Sequence, residues 1–202
     1  MACEKLGEFY RYGKVVARDL VKARQYYKKA GYINIAASIA AEIEAEEAAA
    51  ALERRKAARK EVFISYARRD GEYRDELGLH LKAMSRTREI TWWDDTQIKT
   101  GAKWDTEIKA ALARAKIAIM MVSVNLIASD YVWEKELPAL LEAAENEGAT
   151  ILWVPVSTCD LEDTIIAKYQ AIIDPKTPLD KLPPAERNEV YTKLVKEIKK
   201  HF

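Results

Sequence analysis

Up to residue 59 the apolar residues recur at helical spacing, and beyond it they bunch into short β-branched runs. Leu6, Phe9 and Tyr10 share one helical face, and Gly13 follows as a stop. Asp19 stands where an N-cap belongs, ahead of Ala23, Tyr26, Tyr27 and Ala30. This pattern predicts a helical hairpin over residues 4–32. Residues 34–59 read as one long helix, with Ile35, Ile39 and Ile43 in an i, i+4 stripe and Ala filling much of the rest. At 1.5 Å per residue it would run about 39 Å. Its role is either to cap the hairpin and lead into the next domain or to form an assembly seam. The stripe falls short of the several heptads that a coiled coil needs.

From Glu61 onward, apolar runs alternate with helical stretches. Strands are expected near 61–66, 89–93, 116–122, 150–156 and 169–173, and helices near 71–85, 104–114, 126–146 and 184–201. Residues 157–168 are ambiguous. Ile117-Ala118-Ile119-Met120-Met121-Val122 is apolar on both faces, as a central parallel strand must be. The alternation predicts an α/β fold, a flavodoxin-like doubly wound sheet of five parallel strands in the order 2-1-3-4-5, preceded by an all-α segment. The expected organisation is a hairpin at 1–33, a long Ala-rich helix or linker at 34–60 and the α/β domain at 61–202.

Composition narrows the partners. The net charge of +1 offers no electrostatic case for nucleic acid or an anionic membrane. Cys3 and Cys159 make no metal or disulfide framework, which suits a reducing compartment. The N-terminus lacks an apolar h-region, and the longest aliphatic runs are too short to span a bilayer. A cytoplasmic protein is expected. His80 and His201 are isolated, and no metal site is expected.

In an open parallel sheet, ligands bind beyond the carboxyl ends of the strands where the strand order reverses, here between strands one and three. That rule points to Tyr66-Ala67-Arg68-Arg69, to Ser123-Val124-Asn125, and to Glu134 and Glu136 on the following helix. Two residues along a helix turn by about 200°, so only one of those glutamates can face a pocket. No G-x-G-x-x-G fingerprint is present, which argues against an ordinary dinucleotide dehydrogenase.

Four stretches in this order, Val62–Asp70, Trp92–Asp95, Gly101–Trp104 and Ser129–Leu137, resemble the Toll/interleukin receptor (TIR) domain, over roughly residues 61–202. The resemblance implies the same strand order and two possible functions, NAD cleavage or signalling by homotypic assembly. It places the catalytic glutamate at Glu136, followed by Leu137 and preceded seven positions earlier by Ser129. Trp133 departs from the pattern, since many active relatives carry tryptophan where Val132 stands; it either stacks on the substrate or serves as a packing aromatic. Tyr66, Arg68, Asp94, Trp133 and Ser129 are the implied substrate contacts, a guanidinium at Arg68 being suited to phosphate. The loop after strand two, with Asp95, Lys99, Gly101 and Trp104, is implied to gate the site and to touch a neighbouring subunit. NAD would be the substrate, and no cofactor is expected. Nicotinamide leaves as a neutral group from a cationic precursor, so one carboxylate that stabilises an oxocarbenium-like transition state suffices.

The resemblance thus implies a bacterial-type NAD glycohydrolase, switched on by self-association and acting in antiviral defence. Its product would be ADP-ribose or a cyclised isomer. The alternative is a non-catalytic TIR adaptor or effector. Leu6-Gly7-Glu8-Phe9-Tyr10, Gly13 and Lys22-Ala23 through Ala30 resemble one Sel-one-like repeat, a relative of the tetratricopeptide repeat. One such unit cannot bury its own face, so these helices are expected to pack on something else, a protein partner included, or to be a piece of a longer array.

Overall fold

The computed structural model describes residues 2–86, 90–98 and 103–202, without the Trp104 side chain. It divides into two compact units, Met1–Arg55 and Lys56–Phe202.

The first unit is helical. Helix α1 spans Ala2–Tyr12, α2 spans Leu20–Lys29, and α3 spans Ile33–Ala58 and so runs past the division. Asp19 caps α2, its carboxylate accepting from the Lys22 N–H at 2.9 Å, and Gly13 ends α1 with a φ of 65°. Gly7 lies against the Tyr27 ring, where a Cβ would stand 3.0 Å from ring carbons. Glycine is therefore required by close approach. The core is small: Leu20, Ala23, Tyr27, Ala36 and Ile39, with Tyr10, Ile35 and Ile43 packed at its edge. Residues 44–51 of α3 are exposed on every side.

The second unit holds β1 (Glu61–Ser65), α4 (Gly71–Ser85), β2 (Thr91–Trp93), α5 (Trp104–Arg114), β3 (Ala115–Val122), α6 (Val124–Ile127), α7 (Leu137–Asn146), β4 (Thr150–Pro155) and α8 (Pro184–Lys199). The strands are parallel, in the order β2-β1-β3-β4. Period-two alternation sorts the side chains into two cores. Val62, Ile64, Ile117 and Ile119 meet Leu77, Leu81 and Leu194 of α4 and α8. Phe63, Ala118 and Met120 meet Ile108, Leu137 and Leu140 of α5 and α7.

Two sequence expectations are corrected. The fifth strand near 169–173 shrinks to a single parallel bridge between Trp153 and Ala171. Ile172 donates its N–H to Trp153 O at 2.9 Å, but its own carbonyl is taken by Lys193 Nζ at 2.6 Å. The turn at Asp174–Thr177 then carries the chain away. The helix expected over 126–146 is broken, with α6 ending at Ile127 and a π-helical turn at Val132–Glu136 leading into α7. Pro138 accounts for the π turn: it has no N–H to donate and its ring crowds the carbonyl four residues back, so the turn widens ahead of it. The Leu137 N–H accordingly reaches Val132 O. Arg59, two residues ahead of β1, is 3 % exposed and anchored within the second unit. Its guanidinium donates to Leu112 O at 2.8 Å and Ala115 O at 2.7 Å and pairs with Glu147. Among the described residues, no helix is long and apolar enough to cross a membrane.

Candidate active site

At the carboxyl ends of β1 and β3 lies a cavity of about 620 Å³, within the range of roughly 300–1,000 Å³ that ligand pockets occupy. The loop after β1 contributes Tyr66, Arg68 and Arg69; the segment after β3 contributes Asn125 and Ser129; the π turn contributes Glu136. This is the position that the strand order alone points to.

Glu136 is only 8 % exposed. Its neighbour Glu134 is exposed, so the pair divides between cavity and solvent. Ser65, the last residue of β1, donates its hydroxyl to Glu136 Oε2 at 2.7 Å. Burial raises the pKa of Glu136 above the ordinary glutamate range; the Ser65 hydrogen bond opposes the rise and the negative charge of Asp95 adds to it. Glu136 is thus a carboxylate buried at the cavity wall, not a rim group.

Asp95 also lines the cavity. It accepts from the Tyr66 hydroxyl at 2.7 Å and pairs with Arg68 Nε at 3.4 Å. The start of the loop after β2 is thereby tied across the cavity mouth to the loop after β1. Burial, with the bond to Asp95, keeps the Tyr66 phenol protonated far above its ordinary pKa. The Arg74 guanidinium stacks on the Tyr66 ring, 5.1 Å from its centroid.

The structure does not bring Asp94 or Trp133 into this cavity. Asp94 is fully buried; its Oδ1 accepts from the Thr96 N–H at 2.9 Å and caps the short turn at Asp95–Gln97. The Trp133 indole N–H donates to Ile127 O at 2.5 Å, and the ring packs on the core beneath α7. Ser129 lines the cavity, and its Oγ accepts from the Val132 N–H at 3.4 Å. Lys99, Gly101 and the Trp104 side chain lie outside the described residues.

A family model described as the TIR domain matches residues 62–181, more than half of the 202-residue chain. The chain belongs to the TIR domain family. The uncharacterized protein y4lF of Sinorhizobium fredii is similar, 25% identical over 138 residues that cover 68% of this chain and 42% of that protein. The chain thus spans less than half the length of that relative.

Two residues that shape the TIR cavity escaped sequence reasoning. Ser65 was visible only as a polar end to an apolar strand. Period two places it on the face of Phe63, the side of the sheet that α7 covers. Asp70 is 5 % exposed and accepts from Ser123 Oγ at 2.5 Å and Asn125 Nδ2 at 2.7 Å. A lone aspartate in a charged stretch gives no sign of such burial.

Proposed function

We propose that this TIR domain is an NAD glycohydrolase, with Glu136 as its catalytic carboxylate. The observation that carries the reading is a glutamate held away from water at the wall of a ligand-sized cavity, beyond the ends of β1 and β3. Burying a carboxylate is costly, and an apolar residue there would make a more stable protein. An adaptor has no use for that cost. A glycosidic cleavage does, because a carboxylate works hardest where water is excluded and positive charge develops.

The chemistry proceeds as follows. The nicotinamide–ribose bond breaks, its electron pair leaves with the ring, and neutral nicotinamide departs without a proton. The ribose carbon becomes oxocarbenium-like, and the Glu136 carboxylate stabilises it. Water or an internal nucleophile of the substrate then completes ADP-ribose or a cyclised isomer. The positive charge of the bound nicotinamide also favours the ionised form of Glu136 against the effect of burial. Arg68 is the candidate for the diphosphate, in exchange for Asp95.

The same reading extends to assembly and setting. Self-association through the loop after β2 would reposition Asp95 relative to Tyr66 and Arg68, making turnover depend on protein concentration. The helices α1 and α2 are read as one Sel-one-like repeat that meets a partner, since Tyr12, Val15, Val21 and Ile33 stand exposed on that unit. NAD depletion in bacterial antiviral defence is the proposed setting. The test is nicotinamide release from NAD across nanomolar to high-micromolar protein, with Glu136→Gln as control. No release by the wild type at any concentration would favour an adaptor.

A further inference from the structure

The polar side chains of the cavity are mostly committed to one another. Ser65 serves Glu136, while Tyr66 and Arg68 hold Asp95. Asn125 differs. It lines the cavity, and its Nδ2 donates to Asp70 Oδ1 at 2.7 Å. A carboxylate only accepts, so this bond settles which end of the carboxamide faces Asp70. The oxygen, Asn125 Oδ1, is turned the other way, and no partner for it occurs among the described residues. Asp70 is itself immobilised, being 5 % exposed with its second oxygen 2.5 Å from Ser123 Oγ. Ser123 is fully buried and caps α6 through Leu126 N–H at 3.0 Å. The chain from Leu126 N–H through Ser123 and Asp70 to Asn125 therefore holds one neutral acceptor at the cavity from a rigid base.

Such an arrangement has a chemical meaning. An acceptor oriented in advance costs little to engage and rejects a ligand that lacks the matching donor. Because it is neutral, it adds no charge beside Glu136 and so does not raise further the cost of ionising that carboxylate. We infer that Asn125 is a substrate-contacting residue whose Oδ1 accepts a hydrogen bond from a donor on the ligand, and that Asp70 is its positioning residue. The inference rests on the NAD-cleaving reading of this cavity. Three kinds of group on NAD can supply the donor: the nicotinamide carboxamide N–H, a ribose hydroxyl and the adenine amino group.

The test is steady-state cleavage by the full chain of NAD and, in parallel, of its nicotinic acid counterpart, which carries a carboxylate in place of the carboxamide. Asn125→Ala should lower kcat/KM for NAD by about tenfold, the worth of one such bond, with the melting temperature close to wild type. Asp70→Ala should lower it several-fold, and the double variant should be no worse than Asn125→Ala, because both remove the same contact. If the preference for NAD over its nicotinic acid counterpart collapses in Asn125→Ala, the donor is the carboxamide. If both substrates lose equally, it is a ribose hydroxyl or the adenine amino group, which the two substrates share. Should Asp70→Ala fail to fold, Asp70→Asn replaces it: one acceptor oxygen then faces two donors, and an intermediate loss is expected. An Asn125→Ala enzyme with wild-type kcat/KM, or losses that simply multiply in the double variant, would overturn the inference while leaving Glu136 in place. A wild type that releases no nicotinamide would instead remove the reading of the site, and this inference with it.

Discussion

The two units bury different kinds of side chain. In the helical unit the buried set is Leu20, Ala23, Tyr27, Ala36 and Ile39, with no carboxylate or guanidinium among them. In the sheet unit Arg59, Ser65, Asp70, Asp94, Ser123 and Glu136 are all buried. Five of these six lie at or just beyond the carboxyl ends of β1, β2 and β3 or on the turn that follows α6. Polar burial opposes stability unless partners compensate, and here it is concentrated where the strand order reverses. Stability and function thus separate along the chain: one unit holds a minimal apolar core, and the other accepts costly groups at one end of a large one.

The largest effect that would sharpen this contrast is in the small core. Tyr27→Ala removes its largest ring and should cost about 3–5 kcal/mol, more than five buried side chains can spare. All five tryptophans belong to the second unit. Tyr27→Ala should therefore lower helical circular dichroism while the tryptophan unfolding transition stays in place. A matching loss in the tryptophan signal would show that the units do not unfold separately.

Next comes Arg59. Breaking its contacts takes the guanidinium from the carbonyls of Leu112, near the end of α5, and Ala115, at the start of β3, and from Glu147, an expected loss of about 3 kcal/mol. Arg59→Ala should lower the denaturant midpoint seen by tryptophan fluorescence, and a fragment of residues 61–202 should be weaker than one of residues 56–202 by a similar amount. Equal midpoints for the two fragments would place Arg59 outside the folding unit.

Glu136 should behave in the opposite sense. Its pKa is raised in the folded protein, so the folded state binds more protons than the unfolded state between the two values. Its contribution to stability is complete below the unfolded value, roughly 4.3, and is lost as pH rises through the folded one. Glu136→Gln keeps an acceptor for Ser65 and carries no charge. It should be more stable than wild type at neutral pH, with the difference closing in acid. A variant less stable at neutral pH would mean that the carboxylate is structural.

The smallest effect concerns Ser65. Its hydrogen bond pulls the Glu136 pKa down, so Ser65→Ala should move the acid limb of the kcat/KM profile to higher pH. An unmoved limb would detach Ser65 from the working carboxylate.

Much of this was legible in the sequence, for stated reasons. The apolar runs beginning at Val62 and Ile117 report strands directly, alternation with helices reports a doubly wound parallel sheet, and the TIR resemblance implies the order β2-β1-β3-β4. Glu136 and Tyr66 could be placed together because the switch-point rule needs only strand order. The π turn ahead of α7 was less visible, although Pro138 marks it; hydrophobic spacing across 126–146 looks continuous without the proline's missing donor taken into account. The fifth strand failed because Tyr169–Ile173 has the residue types of a strand while Lys193, far along the chain, claims the Ile172 carbonyl. The pairing of Asp70 with Asn125 joins positions 55 residues apart, and local pattern carries no trace of it.

The most direct test of the central claim is a time course of nicotinamide release from NAD by the 202-residue wild type and Glu136→Gln at matched high concentration, with melting curves for both. The account predicts release by the wild type, a fall of at least about a hundredfold in the variant, and a variant that melts no lower than wild type at pH 7. Equal release by two well-folded proteins would contradict it.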